Sequence, residues 1–80
     1  MNSKKNPDES YSVALFYSIS GALRAEKLLK AESLPIKLIP VPRHLSSDCG
    51  ICVRFKREDE PKVERVLNAG KLDIQGIRPM

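Results

Sequence analysis

The sequence has no tryptophan, one histidine and only two cysteines among its 80 residues. Two cysteines are too few for the disulfide framework that stabilises many small secreted domains. With the histidine they supply three metal ligands, one fewer than a tetrahedral zinc site requires, so zinc binding would need a second subunit. We therefore expect reduced cysteines, no metal site within one chain and no bound cofactor.

Long apolar runs are also missing, and no stretch approaches the roughly 18 residues that a membrane span needs. Residues 1–11 (MNSKKNPDESY) lack the apolar region and cleavage site of a secretory signal, and their polar composition is typical of a disordered tail. The sequence thus predicts a cytoplasmic protein with a tail over residues 1–11 and a single domain over residues 12–80. The net charge of +4 gives a mild preference for anionic partners.

The remaining residues alternate between strand-like and helix-like patterns. The strand-like segments are residues 12–17, 36–41, 50–56 and 72–77, and the amphipathic helical segments are residues 19–33 and 59–70. This βαββαβ order predicts a ferredoxin-like α+β sandwich, a four-stranded antiparallel sheet with two helices on one face. The usual strand order places strands one and three in the centre, and Pro40 favours an edge position for strand two.

This topology gathers one set of chemically useful residues at one end of the domain. The end of strand one, the start of the first helix and the cysteine loop (residues 42–49) should meet there. A thiol is nucleophilic as its thiolate, and the positive end of a helix dipole favours that form. The candidate site comprises Cys49 with Ser18, Ser20 and Gly21 from the helix start and Arg43, His44, Ser46, Ser47, Asp48 and Gly50 from the loop.

Some of these residues should stabilise the Cys49 thiolate, and one should destabilise it. Arg43 adds positive charge and completes an anion pocket with the helix N-terminus, whereas Asp48 opposes the thiolate. His44 either shuttles a proton or is only a solvated loop residue. A carrier role further requires that the sulfur of Cys49 is not sealed in the interior.

The second cysteine is poorly placed to pair with the first. In extended chain, Cys52 lies about 10 Å from Cys49, and the odd spacing sends the two side chains to opposite faces. A disulfide between them would require a bend at Gly50. We therefore interpret Cys52 as a small, half-buried strand residue.

Three segments carry a resemblance to a known family: FYSISGALRAEKLLK (residues 16–30), IKLIPVPRHLSSDCGICVRF (residues 36–55) and IQGI (residues 74–77). They resemble the selenium/sulfur carrier-like family of small bacterial proteins, and PRHLSSDCG, over residues 42–50, is the most specific part. The resemblance implies that Cys49 holds sulfur or selenium as a persulfide or selenenylsulfide. It also implies a donor, such as a cysteine desulfurase, and an acceptor protein, so the chain would be a carrier more than an enzyme.

Two other functions fit the same fold. RNA-recognition modules stack bases on aromatic residues of the central strands, but the corresponding positions here offer Cys52 and Arg54, with Phe16 alone on strand one, so we expect no nucleic acid. The second alternative is a non-catalytic module in which Cys49 is incidental. Such a module would bind another protein or a second copy of the same chain, forming a homodimer. Its predicted apolar sheet face comprises Ala14, Phe16, Ile39, Val41 and Cys52.

Overall fold

The structure, a computed structural model, describes residues 10–80. Its elements are β1 (Tyr11–Phe16), α1 (Ile19–Ala31), β2 (Ile36–Pro40), β3 (Ile51–Lys56), α2 (Glu60–Ala69) and β4 (Ile74–Pro79), with a 3-10 turn at Arg57–Asp59 before α2. The predicted tail falls mostly on residues 1–9, outside the described part. Tyr11, which the prediction assigned to that tail, is already the first residue of β1 and pairs with Lys56.

The four strands form one antiparallel sheet in the order β2-β3-β1-β4. This order confirms the predicted α+β, ferredoxin-like architecture, with β1 and β3 in the centre. Pro40 lies on β2, an edge strand, where its missing N–H costs no internal ladder bond.

The main core lies between the sheet and the two helices. Ser18 caps α1 by accepting a hydrogen bond from the Gly21 N–H at 3.3 Å, as its position in the sequence predicts. The buried residues of this core are Ala14, Phe16, Ala22, Ala25, Leu29, Cys49, Val53, Phe55, Val63 and Leu67. Ile19, the first residue of α1, lies outside this core, with 58% of its surface exposed.

The opposite face of the sheet carries a second, smaller cluster. Val13, Leu15 and Cys52 are buried there, and the partly buried residues against them are Ile39, Val41, Leu45 and Met80. The prediction that Ala14 and Phe16 belong to this face is wrong, since both lie in the helix-side core. Both faces of β1 are apolar, so alternation alone did not decide which one meets the helices.

Candidate functional site

The cysteine loop connects the edge strand β2 to the central strand β3. A hydrogen bond from the Val41 N–H to the Gly50 carbonyl, at 3.1 Å, closes its base, and a turn bond joins the Leu45 N–H to the Pro42 carbonyl at 3.0 Å. Beyond these bonds the loop has no regular secondary structure. Its position is therefore set mainly by side-chain contacts with its neighbours.

Ser47 and Gln75 provide those contacts. The Ser47 hydroxyl lies 3.1 Å from the Phe16 carbonyl and 3.0 Å from Gln75 Oε1, and either oxygen can accept its single proton. The same Gln75 oxygen accepts from the Asp48 N–H at 3.0 Å, and the Cys49 N–H donates to the Ser47 hydroxyl at 3.2 Å. We call this network, formed by Phe16, Ser47, Asp48, Cys49 and Gln75, the loop latch.

Gln75 is the member of the latch that the sequence did not reveal. Its oxygen accepts the Asp48 N–H and lies within hydrogen-bond distance of the Ser47 hydroxyl, and thereby joins β4 to residues 27 and 28 positions earlier. Because a backbone N–H only donates, the Asp48 contact fixes which end of the Gln75 amide faces the loop. The one available signal was a glutamine between apolar residues of the last strand, which does not by itself identify a loop contact.

The thiol of Cys49 is enclosed. The residue is 3% exposed and belongs to the helix-side core together with Phe16 and Ala22. Cys49 continues the alternation of Ile51 and Val53, so its side chain follows the stripe that faces the helices. The expectation of an accessible sulfur is therefore wrong for this conformation, and Cys49 can react with another protein only when the loop moves.

Cys52 has a different environment. It is fully buried on the opposite face of the sheet, with its sulfur 4.0 Å from the Pro40 carbonyl. Burial, and secondarily the negative charge that Cys49 can carry, raises the pKa of Cys52 to about 11. Both cysteines are free and lie in different clusters, which confirms that their side chains point to opposite faces. At neutral pH Cys52 keeps its proton and is a poor nucleophile.

The predicted site residues fall into two neighbouring groups. Ser18, Ser20 and Gly21 line a cavity of about 590 Å³ at the start of α1, and the two hydroxyl oxygens are 3.1 Å apart. The other residues lining this cavity are Tyr17, Arg24, Leu72 and Asp73. The loop residues Arg43, His44, Ser46, Asp48 and Gly50 are exposed but do not line it. The fold thus brings both groups to one end without joining them in one pocket.

Residues 10–80 contain neither a cluster of metal ligands nor a membrane-spanning helix. No three side chains of the His, Cys, Asp and Glu types are grouped there in an arrangement suited to a metal ion. Neither helix in this part of the chain has the length and apolar content needed to cross a bilayer.

The match to a family model covers the whole described fold. The model described as "Putative Se/S carrier protein-like" matches residues 11–79, from the first residue of β1 to the last residue of β4. The chain belongs to this family. No curated protein and no solved structure matches it.

One further surface of this Se/S carrier-like protein borders the latch. Tyr17, Ile19 and Leu23 are large apolar residues with 47% to 58% of their surface exposed. Tyr17 directly follows Phe16, whose carbonyl faces the Ser47 hydroxyl. Tyr17 therefore lies next to the latch, and Ile19 and Leu23 lie on the first turns of α1, at the end of the domain that holds the candidate site.

Proposed function

We propose that this protein accepts a sulfur or selenium atom on Cys49 from a donor enzyme, such as a cysteine desulfurase, and passes it to an acceptor protein in the bacterial cytoplasm. It acts as a carrier and not as a stand-alone enzyme. Family membership supports the general role. The observation that carries the choice of Cys49 is the contrast between the thiols: Cys52 is locked in a central strand with a raised pKa, whereas Cys49 is held by an irregular loop.

Loading and delivery are two thiolate exchange reactions. In loading, the Cys49 thiolate attacks the outer sulfur of a donor persulfide, the donor's sulfur–sulfur bond breaks, and the donor thiolate leaves. Cys49 then carries a persulfide. In delivery, a thiolate of the acceptor attacks that outer sulfur, and the Cys49 thiolate leaves. Each exchange forms and breaks one bond between chalcogen atoms, so no external oxidant or reductant is needed. The corresponding steps with selenium pass through a selenenylsulfide.

Both reactions require the cysteine loop to open. In the closed arrangement the core excludes solvent from Cys49, which protects the unloaded thiol between partners. The latch holds this state through a few neutral hydrogen bonds, each contributing on the order of 1 kcal/mol. In the open state Arg43 and the N–H groups of the first α1 turn stabilise the anionic sulfur, His44 exchanges its proton, and Ser46 and Ser47 add hydroxyl groups.

The exposed residues Tyr17, Ile19 and Leu23 provide the contact surface for donor and acceptor. Large apolar side chains at the border of a reactive site are typical of protein contacts. This location lets partner binding and loop opening occur together. The alternative is a dimerisation module that pairs through the sheet face opposite the helices. It is less well supported, because Val13, Leu15 and Cys52 on that face are already buried and offer little apolar surface to a second copy.

Gly50→Ala tests whether a partner approaches the loop at this point. A Cβ at Gly50 meets no atom within 4 Å, and its φ is not positive, so the variant should fold with unchanged stability. We expect slower sulfur transfer from a cysteine desulfurase to Cys49, because the methyl group occupies space needed by the partner. Mass spectrometry over time measures the transfer. An unchanged rate would show that no partner approaches Gly50 closely.

A further inference from the structure

The sheet face opposite the helices carries a row of cations that the carrier reaction does not use. In the strand register, Lys37 lies opposite Arg54, and Val13 stands between Arg54 and Arg78. We call Lys37, Arg54 and Arg78 the cationic row. Like charges placed directly opposite each other on neighbouring strands destabilise a sheet. Within residues 10–80 the one ion pair is between Glu26 and Lys30, so no carboxylate of this part of the chain neutralises the row.

Arg54 has a defined orientation. Its guanidinium carbon lies 4.2 Å from the centre of the Tyr11 ring, a stacked cation–π arrangement that holds the group in place. Its Nε atom is buried and has no hydrogen-bond partner among residues 10–80. A buried donor without an acceptor is costly, and a cationic one more so. A small turn of the side chain toward a bound anion would give this donor an acceptor.

A cavity adjoins this arginine. It has a volume of about 210 Å³ and is lined by Tyr11, Pro35, Ile36, Lys37, Arg54 and Lys56. Three of these six side chains are cationic and none is acidic. Pro35, just before β2, is the apolar side chain of this lining, because the side chain of Ile36 packs against the helix-side core. The cavity is small, positively charged and partly apolar.

We propose that this cavity binds the phosphate group of a small phosphorylated molecule. The Arg54 guanidinium donates to the phosphate oxygens in its ring plane, and the Lys37 and Lys56 ammonium groups neutralise the remaining charge. Pro35 contacts the organic part of the molecule. A small ligand fits better than a nucleic acid, because Arg54 already covers the Tyr11 ring that would stack a base.

The test is a titration of the full-length, nitrogen-15-labelled protein with inorganic phosphate and, separately, with phenyl phosphate, at constant ionic strength maintained with chloride. We expect saturable changes in the NMR signals of the Arg54 Nε–H and of the Lys37 and Lys56 amides, with tighter binding of phenyl phosphate. Arg54→Gln and Lys37→Gln should each weaken binding by about tenfold or more. Lys27→Gln removes the same charge from an exposed position on α1 and should leave binding unchanged.

Several results would overturn the proposal. Shifts that stay linear throughout both titrations would show that there is no site, and equal weakening by Lys27→Gln would show that the attraction is general to the net charge. If inorganic phosphate binds as tightly as phenyl phosphate, Pro35 makes no contact with the ligand, and the choice of a phosphorylated organic molecule is wrong. If single-stranded RNA binds more tightly than phenyl phosphate and the binding is lost in Lys37→Gln, the site belongs to nucleic acid. Lys37 is exposed, so its variant remains informative if Arg54→Gln does not fold.

Discussion

Incubation with a cysteine desulfurase and cysteine is expected to add one sulfur atom to the wild-type protein and none to a Cys49→Ala variant. The Cys49 thiolate is the proposed attacking group, so removing its sulfur abolishes loading. Alanine keeps the position small and apolar within the helix-side core, which limits any loss of stability. Intact mass spectrometry detects the added sulfur, and peptide mapping locates it.

Cys52→Ala is the matched control for this experiment. Cys52 is buried and its pKa is raised to about 11, so its removal should leave loading unchanged. Sulfur located on Cys52, or loading that persists in Cys49→Ala, would contradict the assignment. A wild-type protein that gains no sulfur from several desulfurases, and no selenium from a selenium donor, would favour the interaction module in which Cys49 is incidental.

Gln75→Ala is expected to raise the alkylation rate of Cys49 by about tenfold, since the variant removes the acceptor of the Asp48 N–H and one of the two acceptors open to the Ser47 hydroxyl. The alkylation rates of both cysteines, followed by peptide mass spectrometry, measure this effect. Cys52 is the internal control, because it lies in a central strand that the latch does not hold. Gln75→Glu retains oxygen acceptors at the same position and should react more slowly at Cys49 than Gln75→Ala does.

Comparing the alkylation rates of Cys49 and Cys52 also distinguishes opening of the loop from a loss of stability of the whole domain. If Gln75→Ala merely destabilises the fold, both cysteines should react faster by a similar factor. An unchanged Cys49 rate would show that Gln75 does not hold the loop. Either result would show that the latch does not control the opening of the cysteine loop. Neither result bears on sulfur transfer at Cys49.

The sheet was predictable because local patterns agreed with the topology. Pro40 favours an edge strand, and alternation in β3 separates Val53 and Phe55 from Cys52 and Arg54. β1 was harder to orient, because both of its faces are apolar. The choice between its two faces depends on contacts with the helices, which the β1 sequence does not encode by itself.

The candidate site was only partly predictable. The topology predicts that the cysteine loop meets the end of β1 and the start of α1, and the Ser47 contact with Phe16 joins the loop to the end of β1. The enclosure of Cys49 follows from alternation along the chain, because Cys49, Ile51 and Val53 point to the same face. The sequence pattern alone did not show that this alternation continues from β3 into the loop. Gln75 could not be predicted, because its role depends on β4 passing beside a loop that lies far away in the sequence.

Alkylation of both cysteines of the wild-type protein at increasing low concentrations of urea tests whether the loop opens independently of the rest of the domain. We expect Cys49 to react first, at a rate that urea scarcely changes, because opening the loop exposes little surface. Cys52 should react only through global unfolding, with a steep dependence on urea. Equal rates with the same steep dependence at both residues would show that the loop does not open by itself. Cys49 would then be an ordinary core residue that becomes accessible only when the whole domain unfolds.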